Sequence, residues 1–546
     1  MTRRPYLAAL AALTALTVFL TWPQALHLAT RVAPHQDPLL SGWRLAWIAH
    51  ALATNPTHVY DGNIFYPERR TLAYSDATFL QGALGAPLFW LHLPTAFIYN
   101  LLLLAGILSS GMGLFVLARH LTRNDHAALV GAAVFTLVPY RIEHFMHLEL
   151  QWAAGIPLAL WALHRAIEEG SWRFGALAGM LIALQFVSCI YYGLFLMMTA
   201  PILVALLLAF DRRRALAALP PLALAVVVGA AIATPFALPY LQNARTLGVR
   251  GIEDVAAFSA RPINYLATPF LNWVWGWTAE RFGATEVRLF PGLIAILLAA
   301  GALGRRAPRI VWIYVVLLVF GVEMSLGVNG HLYRWVYDRV WPLHALRAAA
   351  RFAIVAYCAL AVLVAFGYAR LEQRLVAAGR RAGTFAAGAI VLIALECGSA
   401  PMRAMELPRR PPEIYRYLQT LETGVVVELP MPMPWGLPAE EPQYVFWSTQ
   451  HWKPIVNGYS GYASAEYMKT LHLMMTFPDD PSIARLRELN VRYILVHQDL
   501  FDREPYTALV LGMAARRDFL AGGQYRDWRG WTHVFELKPA PPAPQN

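Results

Sequence analysis

The sequence predicts an α-helical polytopic membrane protein of about eleven transmembrane helices, followed by a small C-terminal extracytoplasmic α/β domain. Three observations carry this. Of 546 residues, 58% are hydrophobic and 14% charged, with mean hydropathy +0.43, whereas a soluble domain carries about a quarter charged residues. Long apolar runs recur, and a run of about 20 residues crosses a hydrocarbon core of roughly 30 Å. Clusters of basic residues then fall in short loops between alternate pairs of these runs.

Taken in order, the apolar runs lie near 6–22, 95–118, 126–140, 152–165, 174–192, 193–210, 215–233, 290–304, 309–327, 350–369 and 384–401. Phe79–Leu91 reads as a further span or a re-entrant piece. The N-terminal run has the basic head of a signal peptide but no small-residue cleavage site before Trp22, so it reads as a retained first helix. Arg3 and Arg4, Arg119 and Arg123, Arg165 and Arg173, Arg212–Arg214, Arg305/Arg306/Arg309 and Arg370/Arg374/Arg380/Arg381 share one side. By the positive-inside rule that side is the cytoplasm. The expected location is a bacterial inner membrane, with the N-terminus inside and the C-terminal domain periplasmic.

This alternation sends the long loops outward. Residues 1–401 read as the transmembrane domain, with outer loops at 23–94, 234–289 and 328–349, and 402–546 as the separate domain. Leu271–Trp277, rich in indole, suits the headgroup level. Beyond Pro401 the chain regains turn residues. Gly424–Leu429, Val491–His497 and Trp531–Leu537 read as strands, and Glu413–Leu421, Ser464–Met475 and Ile483–Leu489 as helices packed on them. The tail PAPPAPQN reads as a disordered end. The net charge of +11 is spent on topology signals, so no nucleic-acid partner is expected. Cys189, Cys358 and Cys397 all lie in apolar runs, which supports neither a disulfide frame nor a zinc site. There is no Gly-rich phosphate loop, no GxSxG elbow, no HExxH and no CxxC. The interiors of the spans are nearly uncharged, with Glu323 and Glu396 as the main exceptions.

Candidate chemistry therefore sits in the outer loops. Asp37 precedes Pro38 about a dozen residues past the first helix, and Leu39–Ala53 continues as an amphipathic helix bearing Trp43, Trp47 and His50. An N-cap explains an Asp there. The same position also holds a carboxylate rigid and ionised beside a helix dipole, as a general base requires. Asp76 is its candidate partner, or the N-cap of a helix beginning near Ala77. In the stretch from Pro139 to Gln151, helical spacing puts Glu143 with His147, and His144 with His147, on one face. That set suits acid–base work or a divalent metal through His144 and His147, although no third ligand follows from spacing. An interfacial helix with a polar edge is the alternative. Arg347 and Arg351, one turn apart at the outer end of the tenth helix, suit a phosphate headgroup, or ordinary snorkelling to lipid. Arg245, Arg250, Arg261 and Arg288 are looser candidates of the same kind.

The runs HQDP…LAWIAHAL…NPTHVYDGNIFYP…TLAYSD, PYRIEHFMHLELQW, LRAAARF and NGYSGY…FPDD…LRELNVRYILVH resemble, in this order, a bacterial group of GT-C-like membrane proteins. The resemblance implies transfer of a sugar from a polyprenyl-phosphate-linked donor to a glycan, lipid or protein acceptor outside the cytoplasm, normally with inversion. It implies that Asp37 activates or positions the acceptor, that Glu143 or His147 assists, and that Arg347 and Arg351 hold the carrier phosphate. Asp37 is followed by proline where many such proteins carry a second acid, so no cofactor is certain and a divalent metal stays open. Two other readings are a transporter or flippase of a lipid-linked glycan, which would place polar groups at the bilayer midplane, and a non-catalytic membrane scaffold.

Overall fold

In the computed structural model, residues 3–209, 212–248, 251–438 and 440–539 are described. The chain is mostly helical, with a small sheet near its C-terminus. Each of the eleven apolar runs lies on a helix, but their lengths differ widely. Among the described residues, four helices are long and apolar enough to cross a membrane: Thr95–Thr122, Ile190–Leu208, Arg214–Leu247 and Ala349–Ala377. The expected eleven crossings are not established by length. Arg4–Leu20, Trp172–Ser188 and Ala382–Cys397 are apolar but shorter. Leu293–Gly301 has 9 residues, about 13 Å at 1.5 Å per residue, under half of a hydrocarbon core. Phe79–Trp90 is a 12-residue helix with Pro87 inside it.

By its packing the chain divides into two compact units, one of Met1–Ala33, Tyr99–Leu238 and Gly248–Met405, the other of Pro34–Ile98, Pro239–Leu247 and Glu406–Asn546. In the first, helix ends follow local rules. Asn124 caps Asp125–Leu137 by accepting the Ala127 N–H at 2.9 Å, and Gly170, at φ 60°, closes Gly155–Glu169 in the left-handed conformation that glycine tolerates. Small residues let helices meet backbone to backbone. A Cβ at Gly175 or Gly179 would fall 2.1 Å from the carbonyl oxygen of Pro221 or Ala225, the small-xxx-small contact that drives association where no hydrophobic force is available. The two interior acids are satisfied by helix starts. Glu396 accepts the Leu293 and Ile294 N–H groups at 2.6 and 3.0 Å, and Glu323 accepts that of Leu332 at 2.9 Å.

The second unit holds the helices Asp37–Thr54 and Phe79–Trp90 and a four-stranded sheet. From one edge the sheet runs Val425–Leu429, Val491–His497, Trp531–Leu537 and Phe519–Arg526; the first pair is parallel and the other two are antiparallel. Val425–Leu429 is buried at every position, as a strand covered on both faces must be. Its core partners include Ile483, Leu486, Ile494, Val496 and Phe535. Helix starts beside the sheet are capped by Ser464 and Asp479, which accept the N–H groups of Tyr467 and Ser482. Beyond Val425–Leu429 the backbone pairing continues. Val456 donates to Val426 and Ile455 to Asn63, while Tyr66 and Phe65 donate to Ile455 and Asn457.

Candidate functional site

In the first unit, the helix Asp125–Leu137 stops two residues before Pro139, which disfavours a helical residue in front of it. A single helical turn, Tyr140–Glu143, follows and ends at His144. Two buried side chains then fold the chain on itself. Arg141 donates to the carbonyls of Phe135 and Gln151 at 2.9 and 3.1 Å, and Gln151 returns bonds to those of Arg141 and His144 at 3.1 and 2.7 Å. The helix expected across 143–147 is therefore broken, and Glu143 and His147 do not share a helical face. Glu143 pairs with Arg288 at 3.3 Å. His147 instead lies near His144, with ring centroids 5.5 Å apart.

What gathers these groups is Glu286, which spacing in the sequence does not single out. Its carboxylate takes the Arg351 guanidinium at 3.1 Å and lies 3.8 Å from both His144 Nδ1 and His147 Nε2. Its backbone N–H donates to Glu143 Oε1 at 3.0 Å, so the two acids are joined into one network. Glu286 sits at φ 77°, a strained position for a residue with a Cβ and one that concentrates at functional sites. Burial alone would push its carboxyl up, but the Arg351 guanidinium, the strongest opposing influence, pulls it down to about 2. Burial pushes the His144 imidazole down to about 3, which keeps it neutral. Burial raises Glu143 despite Arg288.

One ligand atom each from His144, His147 and Glu286 lie within 4.8 Å of one another. Both ring nitrogens of His144 are buried without a hydrogen-bond partner. Imidazole nitrogens and a carboxylate whose pKa is lowered are the donors a divalent ion takes at about 2.0–2.2 Å, so the donor chemistry fits one.

Arg351 lies in a short 3-10 turn, Ala349–Phe352, and Arg347 precedes it in irregular backbone. They are not one helical turn apart, because the α-helix begins only at Ala353. Tyr191 links them instead, its hydroxyl accepting the Arg347 backbone N–H at 3.2 Å and its ring lying 4.8 Å below the Arg351 guanidinium. Arg347 also stacks on Phe258 at 4.8 Å. Arg261 is exposed at the start of the turn Pro262–Leu266, its N–H donated to Asn264. Arg245 is exposed on a helix of the second unit, and Arg250 lies outside the described residues.

In the second unit Asp37 is the first residue of its helix, with Gln36 in the cap position. Its Oδ1 accepts the Tyr459 hydroxyl at 3.0 Å, and its backbone N–H donates to His35 Nδ1 at 3.2 Å. The Asp37 side chain keeps 21% of its surface exposed. Arg44, one helical stretch on, donates to Ser75, whose hydroxyl meets that of Ser460 at 2.9 Å. Asp76 is half-buried in the same unit. It is not an N-cap: the next helix starts at Phe79, and Thr78 holds the cap position.

No protein-family model matches the chain, and no curated protein matches it. Solved structures do. The arabinofuranosyltransferase AftD from Mycobacteria superposes with a TM-score of 0.63 at 15% identity over 100% of this chain, which spans 40% of that chain's length. The archaeal oligosaccharyltransferase AglB from Archaeoglobus fulgidus, solved with an inhibitory peptide and a dolichol-phosphate, gives 0.49 at 14% identity over 99% of this chain and 75% of that one. The superposition on AftD, a GT-C glycosyltransferase, shows that this chain has the GT-C fold.

Proposed function

We propose that the chain is an integral membrane glycosyltransferase of GT-C type, taking a polyprenyl-phosphate-linked sugar as donor and a glycan, lipid or protein as acceptor on the non-cytoplasmic face. The observation that carries this reading is the charge network of Glu143, Arg288, Glu286 and Arg351 with two histidines, in a fold shared with an arabinofuranosyltransferase. Two carboxyl groups, two guanidinium groups and two histidines buried together are costly to desolvate unless a polar substrate uses them.

In the reaction, Asp37 accepts the proton of an acceptor hydroxyl. The freed oxygen pair forms the new bond to the anomeric carbon as the bond from that carbon to the phosphate oxygen breaks, with inversion, and the electron pair leaves on the polyprenyl phosphate. Arg351, with Arg347 and Arg288, stabilises the charge developing on that phosphate. Asp76 assists Asp37, and Glu143 and His147 assist at the network. His144, His147 and Glu286 would hold a divalent cation, which supplies further positive charge to the leaving phosphate. The network lies in or beside the loops after the third, seventh and ninth apolar runs, which the arginine pattern assigns to the outside. This gives an inner-membrane protein with its N-terminus in the cytoplasm, its C-terminal domain outside, and eleven helical segments of which several cross only in part.

The test uses the full-length protein in nanodiscs with synthetic polyprenyl-phosphate pentoses and hexoses, and reads the release of polyprenyl phosphate. Asp37→Asn, folded as judged by an unchanged Tm, lowers turnover by about 10²–10⁴-fold, the usual worth of a general base. Undiminished turnover removes Asp37 from the reaction.

A further inference from the structure

We infer that Tyr459, from the C-terminal segment, is a positioning residue for Asp37, so that this segment takes part in setting the reactivity of the base; this rests on the glycosyltransferase reading above. The loop that carries Tyr459 is fixed immediately before and after it. On one side, Asn457 is fully buried and exchanges bonds with the Glu428 backbone, accepting from its N–H at 2.7 Å and donating to its carbonyl at 2.9 Å. The same amide donates to Glu441 Oε1 at 2.9 Å, and the Gly458 N–H donates to Glu441 Oε2 at 2.6 Å. Position 458 accepts no side chain, because a Cβ would lie 2.4 Å from the Phe65 ring. On the other side, the Ser460 hydroxyl meets Ser75 at 2.9 Å, and Ser75 is itself held by Arg44.

Between these two fixed points the Tyr459 phenol reaches Asp37 Oδ1 at 3.0 Å. A phenol keeps its proton up to about pH 10, so toward a carboxylate it acts as a donor. His35 Nδ1 accepts the Asp37 N–H at 3.2 Å and also lies 3.5 Å from Asp37 Oδ2, so the imidazole faces the other carboxylate oxygen and is common to every variant compared below. A hydrogen bond donated to the ionised form lowers a carboxyl pKa and aligns the carboxylate plane. Both effects act through Asp37 and require no contact of Tyr459 with substrate.

The experiment measures pH–rate profiles of the full-length protein in nanodiscs, with the synthetic polyprenyl-phosphate sugar that the wild type turns over best. In Tyr459→Phe, kcat falls about tenfold while the donor KM stays within about twofold, and the acid limb of the profile moves up by about one pH unit. Fluorotyrosine at position 459, a stronger donor of the same shape, moves the acid limb down and keeps the test valid if the Phe variant folds poorly. An unmoved acid limb in both variants overturns the inference, as does a change confined to KM, which would place the phenol on the substrate. The two readings fail separately. An active Asp37→Asn removes the base and this inference with it, whereas an inactive Asp37→Asn beside an unshifted Tyr459 series removes only the inference.

Discussion

Arg351 answers two demands, neutralising Glu286 inside the protein and, in the proposed reaction, receiving a phosphate. The pair is largely buried, with side-chain exposures of 10% and 15%, and removing one partner of such a pair costs about 3–5 kcal/mol because the other charge is stranded. Arg351→Gln is therefore expected to lower Tm by several degrees and to abolish turnover. The double variant Arg351→Gln with Glu286→Gln restores Tm but not turnover, which separates the structural demand from the chemical one. Recovery of both would remove Arg351 from phosphate binding. Of these residues the sequence exposed Arg351, because it lies in an arginine-bearing stretch beside a long apolar run. It did not expose Glu286, a lone acid in an irregular loop, held at positive φ and paired with a residue 65 positions away. No local periodicity signals such a contact.

Among the elements, the strand Val491–His497 ends in a buried histidine held between two carboxylates. His497 is buried with Nε2 2.8 Å from Glu428 and Nδ1 2.7 Å from Asp527. Burial alone would lower its pKa, but the bonds to Asp527 and Glu428 outweigh it and the net shift is upward. A raised folded pKa gives stability that is complete below the ordinary value of about 6.5 and is lost as pH rises through the shifted one. The Tm of the wild type should therefore fall across the range above pH 6.5. In His497→Gln, Tm starts lower and that slope disappears; an identical slope in the variant would assign the transition to another group. The strands Val425–Leu429, Val491–His497 and Trp531–Leu537 were legible because each is a dense run of β-branched and aromatic residues. Phe519–Arg526 was not: it contains Gly522 and Gly523, carries a register shift there and is mostly exposed, so neither composition nor alternation marks it. The break at His144 was hidden for a different reason, since it depends on Gln151 reaching back to two carbonyls.

For the whole molecule, the apolar runs located the helices, but length is set by packing as much as by composition, and among the described residues four helices satisfy the crossing criterion. Orientation is directly measurable because all three cysteines are buried, so single exposed cysteines report without background. Trp435→Cys, at a position 73% exposed, should react with an impermeant maleimide applied outside spheroplasts, and Arg374→Cys only after permeabilisation. The reverse pattern would invert the topology and remove the proposed function with it. The pairing of residues 63–66 with 455–457 joins segments about 390 residues apart, which is why no local pattern announced it. It also dictates how the protein can be recombined. A chimera that trades only the C-terminal segment for a relative's would leave the Phe65 and Tyr66 amides and the Asn63 carbonyl facing a stranger's backbone. Crossover points must therefore come as a set, near 33, 98, 238, 248 and 405, and shuffling experiments that respect one without the others are expected to yield unfolded hybrids.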